Sequence, residues 1–99
     1  MNIIQSNSAK IKELCLKHRV SKLFAFGSVL NNKFSELSDI DFIVDFEKME
    51  YYDYADNYFD LKKSLENLFH RNIDLLEEKA IKNPYFKKNI DNQKLLVYG

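Results

Sequence analysis

Four residues near the middle of the sequence combine backbone freedom, a hydroxyl and two carboxylates at a spacing that suits phosphate chemistry. Gly27 and Ser28 come first, and after ten further residues Asp39 and Asp41 follow, separated by one isoleucine. Two carboxylates placed side by side without a counter-charge repel each other and raise at least one pKa. The usual remedy is a hard divalent cation with oxygen ligands, most often Mg²⁺ where phosphate is another ligand.

The glycine and the serine suit the phosphate end of such a site. Gly27 allows a sharp turn or a close backbone approach directly after an apolar run. Ser28 adds a hydroxyl and a backbone N–H, and a short helix beginning here would present free N–H groups to a phosphate. A Gly-Ser pair after a strand is a weak signal alone, and its weight comes from the aspartates that follow.

The two aspartates lie on a segment, 39–46, whose pattern predicts a β-strand. Because side chains on a strand alternate between faces, Asp39 and Asp41 share one face. The opposite face is apolar and is predicted to be core: Ile40, Phe42, Val44 and Phe46. Two merely solvated residues are a weaker interpretation, since aspartate is disfavoured in strands. Asp45 lies on the same face, where a solvated strand end is favoured over a metal role.

Periodic segments on both sides supply the scaffold. The predicted strands span 20–26, 39–46 and 71–76, with short helical turns after Gly27 and at 77–79. The predicted helices run from Ser6 or Ser8 to about Arg19, from Tyr54 to Phe69 with Asp53 as cap, and from Pro84 with Leu95 and Leu96 as apolar contacts. The expected fold class is α/β (α+β), a three-stranded mixed sheet with helices packed on it, in the order α-β-(short α)-β-α-β-α.

A third aspartate, Asp74, lies in the last of these predicted strands. Ile73 and Leu75 on either side of it are expected to face the core, so Asp74 faces the other way. The alternation would place Asp74 beside Asp39 and Asp41 if this strand neighbours the second strand.

Composition narrows the class of protein. The 99 residues are interpreted as one domain, 1–99, with enough apolar content for a core without disulfides. Fifteen basic and fifteen acidic residues give a formal net charge of zero, which argues against broad electrostatic binding of nucleic acid. The single cysteine, and the absence of a signal peptide or a membrane-length apolar run, favour a cytoplasmic protein.

Several other side chains that could do chemistry are better explained by structure. Cys15 is expected to be buried, while His18 and His70 lie at predicted helix ends and have structural roles rather than metal-binding or catalytic ones. Four tyrosines admit two interpretations, packing with hydroxyls that reach solvent or a docking patch for a protein partner, and packing is favoured. They are Tyr51, Tyr52, Tyr54 and Tyr58.

The motifs Gly27-Ser28 and Asp39-Ile40-Asp41, with Asp74 on a later strand, resemble the nucleotidyltransferase superfamily of the DNA polymerase beta type. The resemblance covers nearly the whole chain and is greatest to the minimal nucleotidyltransferases, which often act as antitoxins to HEPN-type ribonuclease toxins. It implies that a hydroxyl attacks the α-phosphorus of a nucleoside triphosphate, with ATP the expected substrate, and that pyrophosphate leaves.

The same resemblance implies a role for each motif residue. Asp39 and Asp41 would hold two Mg²⁺ ions about 3.5–4 Å apart. Asp74 would complete the nucleophile-side ion and take the proton from the attacking hydroxyl. The Gly27 backbone and Ser28 would hold the terminal phosphates.

The acceptor must come from outside, because a chain of this size has no room for an acceptor-binding domain. Another protein or another copy of this chain would present it, and the resemblance implies a tyrosine of a HEPN-type toxin. Many relatives have an arginine directly after the Gly-Ser pair, whereas this sequence has Val29. Lys33 is the nearest replacement, although a solvated loop lysine is the better interpretation.

Two other functions stay open at this stage. The chain could be an antitoxin that neutralises its toxin by binding, with weak or lost turnover, and Val29 in place of arginine gives this some weight. Transfer to a small molecule such as an aminoglycoside is less favoured, because nothing in the sequence resembles a separate small-molecule pocket.

Overall fold

A four-stranded mixed β-sheet forms the centre of the computed structural model, which describes residues 3–31 and 34–99. The strands are β1 (Val20–Phe26), β2 (Ile40–Phe46), β3 (Ile73–Glu77) and β4 (Leu95–Tyr98). The helices are α1 (Ile3–Ser6), α2 (Ser8–Lys17), α3 (Tyr51–Phe69) and α4 (Pro84–Gln93), with 3₁₀ turns at Gly27–Leu30 and Glu78–Ala80. The predicted α+β class is confirmed.

The strand order is β3-β2-β1-β4, with β2 and β3 parallel and the other two pairs antiparallel. The prediction of three strands was wrong. Leu95 and Leu96, predicted as contacts of the last helix, begin β4 and pair with Ala25 and Phe24. A four-residue apolar run has too few residues to show its period, and only the free edge of β1 decides that it becomes a strand.

The main hydrophobic core fills the space between one face of the sheet and helices α2 and α3. The apolar face of β2 is buried as predicted, with Ile40 and Phe42 fully inaccessible. Leu61 and Leu65 of α3 pack there too, at the four-residue spacing that keeps a helix stripe facing one way. Cys15 is also fully buried, and this burial raises the pKa of its thiol to about 12, so it is an inert packing residue.

Helix ends differ from the predictions by a few residues. The N-cap of α2 is Asn7, without a side-chain capping bond, rather than Ser6 or Ser8, and the helix ends at Lys17. Helix α3 begins at Tyr51, so Asp53 lies in its first turn instead of capping it. Pro84 was predicted in the first turn of the last helix, and this is confirmed, because α4 begins at Pro84. The Asn83 side chain caps this helix by accepting hydrogen bonds from backbone N–H groups of its first turn.

His18 at the end of α2 has a structural role. Its side chain is 2% exposed; Nδ1 donates to the Leu14 carbonyl at 2.7 Å, and Nε2 lies 2.8 Å from a carboxylate oxygen of Asp60. The Asn57 side chain donates to the His18 carbonyl, so this histidine joins α2 to α3.

Among the described residues, no helix combines the length and apolar character needed to cross a bilayer.

His70 ends α3 in the left-handed conformation, with φ 56° and ψ 41°. For a residue with a Cβ, this backbone conformation costs about 1–2 kcal/mol of folding free energy, whereas glycine adopts it without that cost. We therefore expect His70→Gly to stabilise the protein by about 1 kcal/mol in urea unfolding. The matched control is Lys63→Gly at an exposed interior position of the same helix, where glycine is expected to cost about 1 kcal/mol. A loss of stability in both variants would contradict the prediction.

Candidate active site

Three chain segments meet at one end of the sheet. In the parallel pair Asp41 of β2 lies opposite Asp74 of β3, and in the antiparallel pair Asp41 lies opposite Phe26, the last residue of β1. Residues opposite each other on adjacent strands point to the same face, so the side chains of Asp41 and Asp74 are neighbours. Gly27, the residue that follows β1, therefore lies directly beside this carboxylate pair.

The electrostatics of the pair show that its charge is not compensated. The pKa of Asp41 is raised, first by burial, then by the charges of Asp74 and Asp39, and by a hydrogen bond with the Asp74 carboxyl. Asp39 precedes β2, which begins at Ile40, and its side chain is exposed. Both other predicted carboxylates therefore act on Asp41, which is the central and least solvated member of the group.

Gly27 is required by the backbone and by its neighbour. Its φ of +77° lies in the region that favours glycine, and a Cβ added to it would lie 2.5 Å from Oδ2 of Asp41. Gly27 also starts the 3₁₀ turn in which Ser28 is half-buried and its carbonyl accepts from the Asn31 N–H. The Gly-Ser turn and the carboxylate pair are consequently in direct contact.

Metal binding by this cluster would need ligands from outside the protein. Within residues 3–31 and 34–99, no three His, Cys, Asp or Glu side chains lie close enough to hold one ion on their own. The donor set nevertheless suits a hard cation, because adjacent carboxylates without a counter-charge are stabilised by a divalent ion whose other ligands are phosphate oxygens.

Val29, at the position where many relatives have an arginine, has a buried side chain. Its side chain is 5% exposed and belongs to the main core, so this position does not face the carboxylates. Lys33, the replacement considered from the sequence, lies outside the described residues. Sequence reasoning had no signal for the direction of residue 29, because a single turn of 3₁₀ helix has no usable periodicity.

The face that carries the carboxylates also holds ion pairs that the sequence did not indicate. Asp45, expected to be a solvated strand end, is only about a quarter exposed, and its Oδ1 lies 3.8 Å from Lys79 Nζ. Lys94, at the C-terminus of α4, lies 2.8 Å from Asp91 and 3.6 Å from Glu78. These contacts hold α4 and the turn after β3 against this side of the sheet.

The tyrosine cluster divides into two pairs. Tyr54 and Tyr58 are half-buried; burial and the Glu77 carboxylate raise the pKa of both, and Tyr58 donates to the Leu75 carbonyl. Tyr51 and Tyr52 are exposed on the first turn of α3. The packing interpretation therefore holds for one pair, with the correction that the Tyr58 hydroxyl donates to a backbone carbonyl instead of reaching solvent.

The fold and this carboxylate-bearing sheet end define a nucleotidyltransferase-type domain. The profile of the family "Nucleotidyltransferase domain" matches residues 8–97. The chain belongs to this family, which places it among enzymes that transfer nucleotides.

Two curated relatives from Methanocaldococcus jannaschii match nearly the whole chain. The protein provisionally named protein adenylyltransferase MJ1379 is 33% identical, over 90% of this chain and 96% of the relative. The one provisionally named protein adenylyltransferase MJ0128 is 36% identical, over 97% of this chain and 92% of the relative.

Solved structures share the fold. A protein provisionally described as a minimal nucleotidyltransferase superposes with a TM-score of 0.77 at 24% identity, covering 96% of this chain and 95% of the other. A chain of a toxin–antitoxin complex with AMP-PNP gives 0.72 at 19% identity, covering 94% and 73%. A chain from the complex of the tri-AMPylated Shewanella oneidensis HEPN toxin with MNT antitoxin gives 0.66 at 19% identity, covering 98% and 73%.

Proposed function

We propose that this protein is a metal-dependent nucleotidyltransferase that transfers AMP from ATP to a tyrosine hydroxyl of a HEPN-type toxin and thereby acts as its antitoxin. The observation that carries the proposal is the contact between the Gly27 turn and the Asp41–Asp74 carboxylate pair. The provisional names of the relatives support adenylyl transfer, and the toxin–antitoxin complexes of the same fold support the class of partner.

The family resemblance implies a part in this reaction for each residue, and the position of each residue is compatible with that part. Asp41 and Asp39 would hold the cations, which supply positive charge to the phosphate oxygens as negative charge develops on them. The Gly27 backbone, which approaches Asp41 without a side chain between them, and the Ser28 hydroxyl would hold the terminal phosphates.

Asp74 is the member of the pair that is open to solvent, at the start of β3. It can accept the proton of the incoming tyrosine hydroxyl as the oxygen attacks the α-phosphorus and pyrophosphate leaves. The parallel register of β2 with β3 places it beside Asp41, next to the phosphate end of the site.

Transfer is tested by incubating the protein with α-labelled ATP, Mg²⁺ and the HEPN-type protein encoded beside its gene. We expect label on a tyrosine of the partner, loss of that label in Asp39→Asn/Asp41→Asn, and retention of complex formation. Glu13→Gln, which removes an exposed carboxylate from α2, is the control and should label normally. Neutralisation of the toxin by the double variant would support the binding antitoxin instead of the enzyme.

Cation binding has a readout that does not need the partner. We expect Mg²⁺ at about ten times its Kd to stabilise the protein by roughly 1–2 kcal/mol, seen as a higher Tm in calorimetry. The gain should vanish in Asp39→Asn/Asp41→Asn, which keeps the shape of the site without its charge. Potassium chloride at matched ionic strength controls for screening, and an equal effect of this salt would contradict a specific site.

A further inference from the structure

The exposed side of the first half of α3 differs from the rest of the surface in charge and in apolar content. We call it the α3 acidic face and define it by Tyr52, Asp53, Asp56, Phe59 and Asp60. Residues 47–60 hold five of the fifteen acidic side chains and one lysine, although the whole chain is neutral. The negative charge is therefore concentrated on this segment and is balanced by basic residues elsewhere.

Two aromatic side chains lie next to these carboxylates and stay largely exposed, although the Phe59 ring also contacts the ring of Tyr58 at a centroid distance of 5.0 Å. Tyr52 is 75% exposed and Phe59 is 65% exposed. With Asp56 they stand at positions i, i+4 and i+7 of the helix, so the three form one continuous stripe. Tyrosine and phenylalanine are enriched in protein interfaces relative to the rest of the surface.

A hollow of about 550 Å³ adjoins the stripe, between α3 and the end of α2. Its lining residues are Arg19, Met49, Asp53, Asp56, Asn57 and Asp60. The Arg19 guanidinium donates to the Lys48 carbonyl, and Asp60 is held by His18. Neither Asp53 nor Asp56 makes an ion pair within the described part of the chain, so both carboxylates are free to bind a cationic side chain.

We propose that the α3 acidic face binds a protein partner through a lysine or arginine side chain that enters this hollow. The stem of that side chain packs against Tyr52 and Phe59, while its charged end reaches Asp53 and Asp56. Charge complementarity selects a basic protein surface and disfavours a phosphate-bearing one. This inference rests on the proposed function, whose partner is a HEPN-type protein, and assigns the surface that the partner uses.

The face lies far from the carboxylates that perform the transfer. Arg19 precedes the first residue of β1, whereas Asp41 lies opposite the last residue of β1, and six strand steps separate the two ends by about 20 Å. Docking and transfer therefore use different ends of the sheet. The partner would contact both ends of the sheet, binding at α3 and extending its tyrosine to the carboxylates at the other end.

The test uses Asp56→Lys, which reverses charge in the hollow and is compatible with a helix interior. We expect its Kd for the HEPN-type protein encoded beside this gene to rise at least tenfold. The salt dependence of binding should also become weaker than in the wild type. Tyr52→Ala should weaken binding without changing the salt dependence. At a saturating partner concentration the transfer rate of Asp56→Lys should equal that of the wild type.

Glu13→Lys provides the control, since it makes the same change of net charge at an exposed site on α2. It should leave the Kd within twofold of the wild type. The inference is overturned by an unchanged Kd in Asp56→Lys, by an equal loss in Glu13→Lys, or by absence of a wild-type complex. Self-association of the wild type that Asp56→Lys abolishes would assign the face to a second copy of this chain instead. A complex that depends on Asp56 but transfers no label would refute the proposed function and leave this surface standing.

Discussion

Replacing Asp41 with asparagine is expected to lower the rate of transfer at least 1,000-fold, about 4 kcal/mol in activation free energy, and also to make the protein more stable. The loss of activity follows because Asp41 is the central carboxylate, in contact with the Gly27 turn and with Asp74. An amide of the same shape keeps these contacts and cannot offset the positive charge of a cation. The rate is measured by transfer of label from ATP to the partner.

The gain in stability follows from the direction of the pKa shift. Burial and the neighbouring carboxylates raise the pKa of Asp41 in the folded protein, so its ionised form is favoured in the unfolded chain. The folded state accordingly loses stability as pH rises from the unfolded pKa, near 3.9, and the loss is complete once pH has passed the raised folded pKa. Asparagine has no such charge, and we expect its Tm at pH 7, without divalent cations, to rise by roughly 2–5 °C.

The pH dependence separates this explanation from better packing. Below the unfolded pKa the carboxyl is protonated in both states, so the wild type and Asp41→Asn should have similar Tm values near pH 3. For Glu13→Asn, at an exposed site, the difference in Tm from the wild type should be about the same at pH 3 and at pH 7. A Tm for Asp41→Asn that is lower than wild type at pH 7 would refute the uncompensated charge.

Gly27→Ala is expected to combine a large loss of activity with a loss of stability. The alanine would hold a Cβ at φ +77°, which costs about 1–2 kcal/mol. Its Cβ would also lie 2.5 Å from Asp41 Oδ2, so the carboxylate must move out of place. We expect unfolding to become easier by about 2–3 kcal/mol in urea titration, and transfer to fall at least 100-fold.

A double-mutant cycle with Asp41→Ala separates the backbone strain at residue 27 from the clash with the Asp41 carboxylate. Truncating Asp41 removes the atom that a Cβ at residue 27 would meet, so Gly27→Ala in this background retains only the backbone strain. The stability loss should then fall to about 1–2 kcal/mol. The same loss in both backgrounds would show that the contact with Asp41 is not what requires glycine.

Strand β2 shows how far the sequence alone could go. Its alternation of aspartate with apolar residues predicted that Ile40, Phe42, Val44 and Phe46 lie in the core, and all four are buried. Ile43 departs from the alternation, because it is buried on the face that carries the aspartates. Strand β1 was predicted with its observed bounds, Val20–Phe26, because two turn-forming residues end it. These features are local, and local periodicity is what a single sequence records.

The site required contacts between distant segments. Asp41 and Asp74 are 33 residues apart, and the parallel register of β2 with β3, not the alternation within either strand, sets them side by side. The sequence predicts this contact only on the condition that the two strands are neighbours in the sheet. The metal ions and the individual catalytic roles of Asp39, Asp41 and Asp74 stay predictions.

The sequence by itself predicted three of the four strands, the main helices and the nucleotidyltransferase family, since these depend on patterns along the chain. Tertiary structure decided that Leu95 and Leu96 form a fourth strand and that Val29 points into the core. It also showed that Tyr52 and Asp56 remain exposed beside a hollow while Tyr54 is half-buried. The physical reason is that burial and pairing depend on which surfaces meet, and surfaces meet only after the chain has folded.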